Sequence, residues 1–553
     1  MQLPERVVLV GLSGTGKTVV GQALARQLGY ALIDTDALVE ARFGCPVAEI
    51  FRRYGEPVFR AAEREAVRIA ARQRRAVVAT GGGVVLDEAN WAALRPGSVI
   101  VHLRASLPTL LARLRAQSGA QPGRDRPLLQ GDPAARLAQL WEARRHFYAR
   151  ADLTVDTDGR TPEELAAEIA RAVAERQRRG LVPALSLLGQ AGRSDIVIGP
   201  GVIGELGTLV SQRWPQARTA FVVSDQQVWP HWGTRVTDAL ASAGLRVESR
   251  AVPAGEASKS WETAGDLLDW LLACRVDRRD VVVAVGGGVV GDLAGFVAAV
   301  VLRGIGFAQV PTSLLAMVDA SVGGKTAVNH RFGKNLIGAF YQPALVVIDP
   351  ETLTTLPDAE LRAGWAEVVK HAMIECTATG ASHPALLAAL EAVPLEALRL
   401  EPAEMTALIQ HNVAIKAAVV QADEREDGLR RILNYGHTFG HAFEAAAYRY
   451  RHGEAVALGM RAEARLAQRL GLVDDRLVAR QDALLDRLGL PRQFVGDIAA
   501  VLARLPYDKK AVHGRLTWVL PTAPGQVIIT DQPSAEDVAA IVAAVSQAEV
   551  ERA

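Results

Sequence analysis

Val7-Val-Leu-Val10-Gly11-Leu-Ser-Gly14-Thr15-Gly16-Lys17-Thr18 decides the fold of the first third of this chain. Four consecutive apolar residues read as a buried parallel strand, and the glycine-rich octapeptide after them opens a helix. Glycines let backbone N–H groups point inward and cradle phosphate at the positive helix end. Gly14, Thr15, Gly16, Lys17 and Thr18 therefore read as a nucleoside-triphosphate grip. Lys17 reaches the β- and γ-phosphates, and the Thr18 hydroxyl suits Mg2+. Outward from this loop, Val77–Thr80, Ser98–Leu103 and Leu153–Asp156 are further β-rich runs, separated by amphipathic Ala/Arg-rich stretches. That alternation predicts an α/β unit over 1–175, a parallel sheet flanked by helices. Thr161-Pro-Glu-Glu164 starts its last helix, which ends in the basic run Arg176–Arg179, and 176–192 read as a linker.

The chain has 553 residues, 49% apolar, with 62 Lys and Arg against 61 Asp and Glu. This excludes a disordered chain and argues against nucleic-acid or polybasic membrane binding. Apolar runs such as Phe296–Leu302 fall far short of the ~18–20 residues of a membrane span. Pro4-Glu5-Arg6 leads straight into the first strand rather than a signal peptide. Cys45, Cys274 and Cys376 have no paired spacing, so the expected compartment is the reducing cytoplasm.

A second α/β region is expected over 193–355, with buried strands at Ala220–Ser224, Val281–Val285 and Leu345–Ile348. Residues 356–553 read as mostly helical, with strands only at Leu516–Leu520 and Val527–Thr530. Val281–Val285 runs into Gly286-Gly-Gly288-Val289-Val-Gly291-Asp292, a Rossmann-like dinucleotide signal. The ribose acid normally about 20 residues on is missing, because no acid lies between Asp292 and Asp319. Ribose contacts must come from elsewhere if a dinucleotide binds, and Asp225, Glu256 and Lys259 are candidates.

His437, His441 and His452 are three of 11 histidines and fall within 16 residues. With Glu367 on another helix, two of them make a zinc site of two imidazoles and one carboxylate, with an open position. Spacing leaves open whether His437 pairs with His441 or with His452. Arg303, Lys325, Lys334, Asn335, Lys370, Lys416, Arg430, Lys509 and Lys510 spread over more than 200 residues. They form a phosphate and carboxylate pocket if the fold gathers them.

Asp34-Thr-Asp36, Gly55-Glu-Pro-Val-Phe-Arg60-Ala-Ala-Glu63 and Thr80-Gly81-Gly82-Gly83 accompany the phosphate loop. With them, residues 1–175 resemble shikimate kinase. The resemblance implies that Asp36, Arg60, Gly81, Gly82, Gly83 and Arg144 hold shikimate, with Asp34 near Mg2+ and the acceptor hydroxyl. Gly119–Asp132 is similar to the family's lid, and Arg126 within it to the arginine that neutralises transferring charge. Arg144 is taken over Arg145, where His146 and Phe147 replace the family's usual Pro-Leu.

Residues 193–553 resemble 3-dehydroquinate synthase, motif by motif and in order. This implies Zn2+ or Co2+ on Glu367, His437 and His452, with His441 in proton transfer. It implies NAD on Asp225, Glu256, Lys259, Gly287, Gly288, Val289, Gly291, Asp292, Thr312, Ser313, Lys325, Lys334, Thr352 and Thr355. Substrate would meet Arg303, Asp319, Lys325, Asn335, Lys370, Lys416, Arg430, Asn434 and Lys509 or Lys510. Among these Asp319, Lys325, Lys370, Lys416 and His441 are expected to be catalytic, as are Lys17, Asp34 and Arg126 in the first unit. The expected protein is a bifunctional cytoplasmic enzyme with ATP, shikimate and 3-deoxy-D-arabino-heptulosonate 7-phosphate as small-molecule substrates, associating as a homo-oligomer through its second unit. Rival readings are another sugar-phosphate cyclase, a metal-dependent polyol dehydrogenase, or a first unit that senses nucleotide without kinase activity. The two activities are not adjacent in their route, so the fusion reads as tethering by a flexible joint without channelling.

Only eight of the 62 basic residues are lysine: 17, 259, 325, 334, 370, 416, 509 and 510. All eight lie in the segments just named, where a compact ammonium is wanted and a planar guanidinium will not fit. Lys→Arg at 17, 325, 334, 370 or 416 is therefore expected to impair catalysis while barely changing stability, as read by paired activity and thermal-unfolding measurements. Full activity in most of these variants would sink the argument.

Overall fold

The computed structural model describes residues 4–120, 132–179, 181–189, 192–394, 398–447, 449–505 and 517–547. Arg126, Lys509 and Lys510 lie outside them, as does most of the expected lid. The chain forms two compact units. One comprises Met1–Leu188 with Arg193–Val197 and Thr208–Pro215; the other comprises Gly189–Gly192, Ile198–Gly207 and Gln216–Ala553.

The first unit is built on five parallel strands: β1 (Arg6–Val10), β2 (Ala31–Asp34), β3 (Ala76–Ala79), β4 (Ser98–Arg104) and β5 (Leu153–Asp156). Their order is β2-β3-β1-β4-β5. Val8 and Val10 bury on one face with Val78, Ile100 and Trp91. Val7 and Leu9 bury on the other with Val77, Val99 and the helix residues Val20 and Leu24. Both faces being covered is why β1 reads as an unbroken apolar run rather than an alternation. Gly14 (φ 90°) and Gly16 (φ 91°) supply the left-handed turns that deliver the chain into α1 (Lys17–Leu28). Asp34 ends β2 and caps α2 (Thr35–Phe43). Helix α3 (Val47–Ala71) breaks at Gly55, and α4 (Pro133–Tyr148) follows the lid.

The expected linker at 176–192 is corrected. It holds the end of the helix Pro162–Arg178, which starts at Thr161 as expected and there closes a capping box with Glu164, and a strand at Leu185–Gly189. Leu181 and Leu187 are buried, and the Gly97 N–H donates to the Pro183 carbonyl at 3.0 Å. Charge fastens the stretch as well. Arg176 stands 3.4 Å from the buried Asp152, which also pairs with Arg95 at 3.0 Å. Arg193 and Ser186 both bind Asp195, at 3.0 and 2.6 Å. Apolar residues and paired charges bury here, so the segment is ordered structure rather than a free joint, with residues to Leu188 in the first unit and Gly189–Gly192 in the second.

The second unit has parallel strands β6 (Thr219–Asp225), β7 (Arg246–Val252), β8 (Val281–Gly286) and β9 (Gly306–Pro311), then β12 (Leu345–Ile348), in the order β12-β9-β8-β6-β7. Between β9 and β12 lies the antiparallel hairpin β10 (Lys325–His330)–β11 (Gly333–Phe340). Helix α5 (Gly288–Val300) leaves β8 at the glycine turn. Edge strand β7 is mostly polar, with Arg246, Glu248, Ser249 and Arg250, and β10–β11 is half exposed, so neither gave a continuous apolar run. The helical region follows as expected, with α6 (Asp358–Thr379), α7 (Pro402–Ala422), α8 (His437–Ala446) and α9 (His452–Arg469). Helices α8 and α9 approach closely because glycines line the contact. A Cβ on Gly440 would stand 3.0 Å from the Ala455 carbonyl oxygen, and one on Gly459 would strike that of Gly436. A final pair, Trp518–Ala523 with Gln526–Thr530, completes the unit.

A fragment ending at residue 175 loses Arg176 and the Asp195 strand, leaving Asp152 and Arg95 short of their charge partners. Asp152 and Arg95 keep each other, but each buried group gives up a partner, and a hydrogen bond to a charged group is worth about 1.5–3 kcal/mol. Fragment 1–175 is therefore expected to unfold well below fragment 1–215 in thermal denaturation, and equal midpoints would refute the correction.

Candidate active sites

In the first unit, the strand ends and helix starts converge on the phosphate loop. The Lys17 ammonium folds back onto it, donating to the Gly11 and Leu12 carbonyls at 2.8 and 3.0 Å. Thr18 donates its hydroxyl proton to Asp34 Oδ2 at 2.8 Å, while Asp34 Oδ1 accepts the Asp36 N–H at 3.0 Å. One carboxylate thus joins the two expected Mg2+-side residues and caps α2. The triple glycine has a steric reason. A Cβ on Gly81 would stand 2.5 Å from Asp36 Oδ1 and 3.1 Å from Glu63 Oε1, and one on Gly83 would strike the Arg60 guanidinium. Arg60 is aimed by Glu63 at 2.8 Å and by Glu56 at 2.9 Å. Arg144 is buried and donates to the Gly82 carbonyl at 2.9 Å. Arg145 instead pairs with Glu142 at 3.0 Å on the solvent side. Asp36, Arg60, Arg144 and bare backbone therefore surround one space beside the loop. Burial, reinforced by Asp34 and Glu63 against the pull of Lys17, pushes the Asp36 carboxyl up to about 6.

Sequence reasoning passed over three supports here. Glu63 is buried beneath Arg60, and the Tyr148 hydroxyl donates to the Gly82 carbonyl at 3.3 Å. Arg113 binds the Thr157 carbonyl at 2.7 Å and reaches that of Gly14 at 3.5 Å. Nothing distinguishes Arg113 from its neighbours in an arginine-rich helix.

In the second unit, Glu367 on α6 and the first residues of α8 and α9 bring three donor atoms within 4.8 Å of one another. Glu367 Oε1 lies 3.3 Å from His452 Nε2 and 3.7 Å from His437 Nε2. Tetrahedral ligands at ~2.0–2.2 Å from zinc stand roughly 3.3–3.6 Å apart, so the donor set fits that ion. The geometry groups His437 with His452; the His441 ring sits 5.5 Å from His437 and 6.3 Å from His452.

Buried charge abuts this triad. Lys370 lies 2.5 Å from Glu367 Oε2 and 2.7 Å from Asp319 Oδ2. Lys416 grips Asp319 from the other side, bonding its Oδ1 and, at 2.5 Å, its backbone carbonyl. Asp319 sits in a π-helical turn, Ala316–Ala320, closed by Ser321 N–H to the Ala316 carbonyl at 3.0 Å. Burial alone would raise the Asp319 carboxyl, but the two ammoniums hold it well below its ordinary value. Burial pushes Lys416 down to about 8 despite Asp319, helped by Lys370 and Arg430. Lys370 goes up, because Asp319 and Glu367 outweigh its burial.

At the dinucleotide side, small residues leave a cradle over the β8–α5 turn, lined by Gly286, Gly287, Gly288, Gly291, Gln309 and Ser321 among others. A Cβ at Gly288 or Gly291 would stand 3.2 Å from Ala320 Cβ or Gln309 Nε2. Beside it, Lys259 bonds Asp292 and, at 2.5 Å, Asn335 Oδ1. Asn329 ties in the rest, accepting the Asn335 N–H at 2.9 Å and donating to Glu256 at 2.8 Å. Glu426 pairs with Lys325 and accepts from Asn434 at 3.0 Å. Arg430 donates to the Gly323 carbonyl at 3.0 Å, next to that hairpin. Thr312 and Ser313 adjoin the cradle, the Thr312 N–H donating to the Gly286 carbonyl at 3.0 Å and Ser313 Oγ lying 3.6 Å from where a Cβ on Gly287 would stand. Asp225 accepts the Gln227 N–H at 2.8 Å, Thr352 donates to the Asp349 carbonyl at 2.8 Å, and Thr355 accepts from Trp232 at 2.9 Å. Arg303 is exposed, at φ 67°, and makes no side-chain hydrogen bond or ion pair among the described residues.

Asn329, Glu426 and Glu444 were missed. Glu444, seven residues beyond His437 and thus on the same face of α8, was the one that spacing could have found. The lysine expectation also needs correction. Lys370 and Lys416 are only 1% and 5% exposed, so a bulkier arginine there would strain the packing as well as the chemistry. Stability is spared only where the ammonium is accessible, as at Lys325 and Lys334.

A family model described as shikimate kinase matches residues 13–174. Models described as 3-dehydroquinate synthase N-terminal and C-terminal match 249–363 and 364–511. A 3-dehydroquinate synthase of Symbiobacterium thermophilum is 47% identical over 349 residues, 62% of this chain and 95% of that protein. Among solved structures, 2-epi-5-epi-valiolone synthase from Streptomyces hygroscopicus, with NAD+ and Zn2+ bound, matches with a TM-score of 0.57 at 27% identity, covering 64% of this chain and 96% of that one. A 2-deoxy-scyllo-inosose synthase complexed with carbaglucose-6-phosphate, NAD+ and Co2+ matches at 0.58 and 26%, covering 65% and 98%.

The raised Asp36 carboxyl has a sign that can be measured. Its folded-state value of about 6 lies above the ordinary one, so its ionised form costs stability above pH 6 and the cost disappears as pH falls toward 4. Asp36→Asn is expected to stabilise the first unit at pH 8 by about 1–2 kcal/mol after allowance for solvent screening. Unfolding at pH 8 and pH 4 reads the difference, and a gain equal at both would refute it.

Proposed function

Because the chain belongs to the 3-dehydroquinate synthase family and carries a shikimate kinase domain ahead of it, we propose that one polypeptide performs two reactions of the shikimate route. The first unit phosphorylates shikimate with ATP. The second converts 3-deoxy-D-arabino-heptulosonate 7-phosphate to 3-dehydroquinate and phosphate. The observation that carries the second assignment is the Glu367–His437–His452 donor set abutting the Lys370–Asp319–Lys416 cluster. Identity favours this cyclase over its rivals: 47% to a 3-dehydroquinate synthase, against 26–27% to the inosose and valiolone synthases.

In the first unit, ATP would lie on Gly14–Thr18 with its Mg2+ at Thr18 and Asp34. Lys17 would leave the loop carbonyls for the phosphates, and Arg126 would add charge from the lid. Asp36 would accept from shikimate hydroxyls while Arg60 and Arg144 fork onto its carboxylate, a match of planar groups that lysine could not make. In the second unit, Glu367, His437 and His452 would hold Zn2+ or Co2+, which would polarise a substrate hydroxyl and ketone. NAD on the glycine cradle would take a hydride and return it, giving no net redox. Lys325, Asn335 and Arg430 would hold the phosphate until it leaves. Lys416, close to 8, is balanced to shift a proton near neutrality, and His441 would serve a second transfer.

Net charge near zero supports a protein acting on small molecules without nucleic-acid or membrane partners. Among the described residues no helix is long and apolar enough to cross a membrane. A cytoplasmic location, association through the synthase unit, and a synthase divided near 355 into a dinucleotide-binding and a helical region belong to this reading.

The test is a pair of assays on the purified chain: phosphate release from the heptulosonate phosphate with catalytic NAD and zinc, and ATP turnover dependent on shikimate. His437→Ala is expected to lower the first by at least about 100-fold and spare the second; Lys17→Ala does the reverse. Net NADH accumulation, or phosphate release untouched in His437→Ala, would overturn the reading.

A further inference from the structure

Glu444 lies outside the metal triad, yet its carboxylate is divided between two parts of the second unit. Its Oε1 stands 2.6 Å from Lys334 Nζ on the hairpin strand β11. Its Oε2 stands 3.6 Å from Nδ1 of His452, whose other nitrogen faces Glu367 at 3.3 Å. A carboxylate behind the second nitrogen of a ligand imidazole fixes its tautomer and ring orientation and strengthens it as a donor. The hairpin side is equally connected. Lys334 precedes Asn335, whose side chain meets Lys259, and Lys259 binds Asp292 in the helix α5 that leaves the glycine cradle. Two polar links therefore leave the hairpin at adjacent residues: Asn335 through Lys259 to Asp292 beside the cradle, and Lys334 through Glu444 to His452.

Resting on the dinucleotide and metal assignments above, we propose that Glu444 is a positioning residue that couples dinucleotide binding at the glycine cradle to metal affinity at His452. Lys334 is half exposed, so its ammonium is available to the phosphates of a dinucleotide. When those phosphates draw it away, Glu444 loses one cation and its full charge falls on the His452 N–H. The ligand imidazole is then held more firmly, and the metal binds more tightly. By linkage, metal binding strengthens dinucleotide binding by the same factor.

The experiment measures Co2+ affinity of the full chain by chelator competition, with and without NAD, together with the visible spectrum of bound Co2+ and NAD affinity with and without Co2+. Wild-type protein is expected to bind Co2+ several-fold more tightly with NAD present, and NAD more tightly with Co2+ by the same factor. Glu444→Gln, nearly isosteric, should lower Co2+ affinity about 10–100-fold, change the Co2+ spectrum and abolish the enhancement. Lys334→Met removes the competing cation outright, so it should raise Co2+ affinity without NAD to about the level wild type reaches with NAD, and abolish the enhancement. Shikimate-dependent ATP turnover in each variant checks that the chain is intact. A Glu444→Gln protein with wild-type affinity and spectrum overturns the proposal, as does an enhancement that persists in Lys334→Met. A wild-type chain whose Co2+ affinity ignores NAD overturns the coupling. One that binds neither Co2+ nor NAD overturns the cofactor assignment beneath it.

Discussion

Asp319 is held between the buried ammoniums of Lys370 and Lys416, and the architecture of the second unit depends on that contact. Lys370 comes from α6, Lys416 from α7, and Asp319 from the π-helical turn after β9. Each charge has been taken out of water, which costs several kcal/mol unless geometry and further bonds offset it. Removing any one would strand the others, so the three segments must meet in one register. Lys370 also touches Glu367, which carries this constraint into the metal-site donors. Buried ion pairs are weak evidence of stability, but they are demanding about position, and position is what a site that handles phosphate and protons requires.

The first unit reaches the same end by emptiness. Gly81 and Gly83 are small because Asp36 and Arg60 occupy the volume where side chains would stand. Two opposite charges then face one space without neutralising each other directly, since Arg60 is tethered to Glu56 and Glu63 instead. A substrate carrying both hydroxyls and a carboxylate can satisfy both groups at once. Asp36, left without a cation of its own beyond the nearby Lys17, stays easy to protonate until such a ligand arrives.

Legibility in the sequence followed the range of the interaction. Strand β1, the phosphate loop and the helix start at Thr161 are local patterns, and each was readable because its physics is complete within about ten residues. The pairing of His437 with His452 was not, because helical spacing favours His441 as much and only the glycine-lined contact of α8 with α9 selects between them. Strand β7 hid because this edge strand is mostly polar, and the segment at 176–192 looked like a joint because its partners, Asp152, Arg95 and Gly97, are far away in sequence. Asn329 and Glu426 carry no motif of their own; they matter only through what they touch.

The scarcity of lysine gains a physical account from these contacts. Lys17 is shared by two carbonyls of one loop, and Lys416 meets a carboxylate and a carbonyl of the same residue. Lys370 stands between two carboxylates on different segments. Each is a convergence of acceptors on one point, which three rotatable N–H bonds can serve and a flat guanidinium cannot. Arginine holds the complementary places: Arg60 and Arg144 present forks, and Arg430 spans two backbone carbonyls. In a chain where arginine covers almost every other basic position, the choice of ammonium therefore follows the shape of the acceptor set. The same reasoning separates Lys334 from the buried lysines. Lys334 stands on the half-exposed hairpin, so its bond to Glu444 on α8 can open without stranding a lysine in the core.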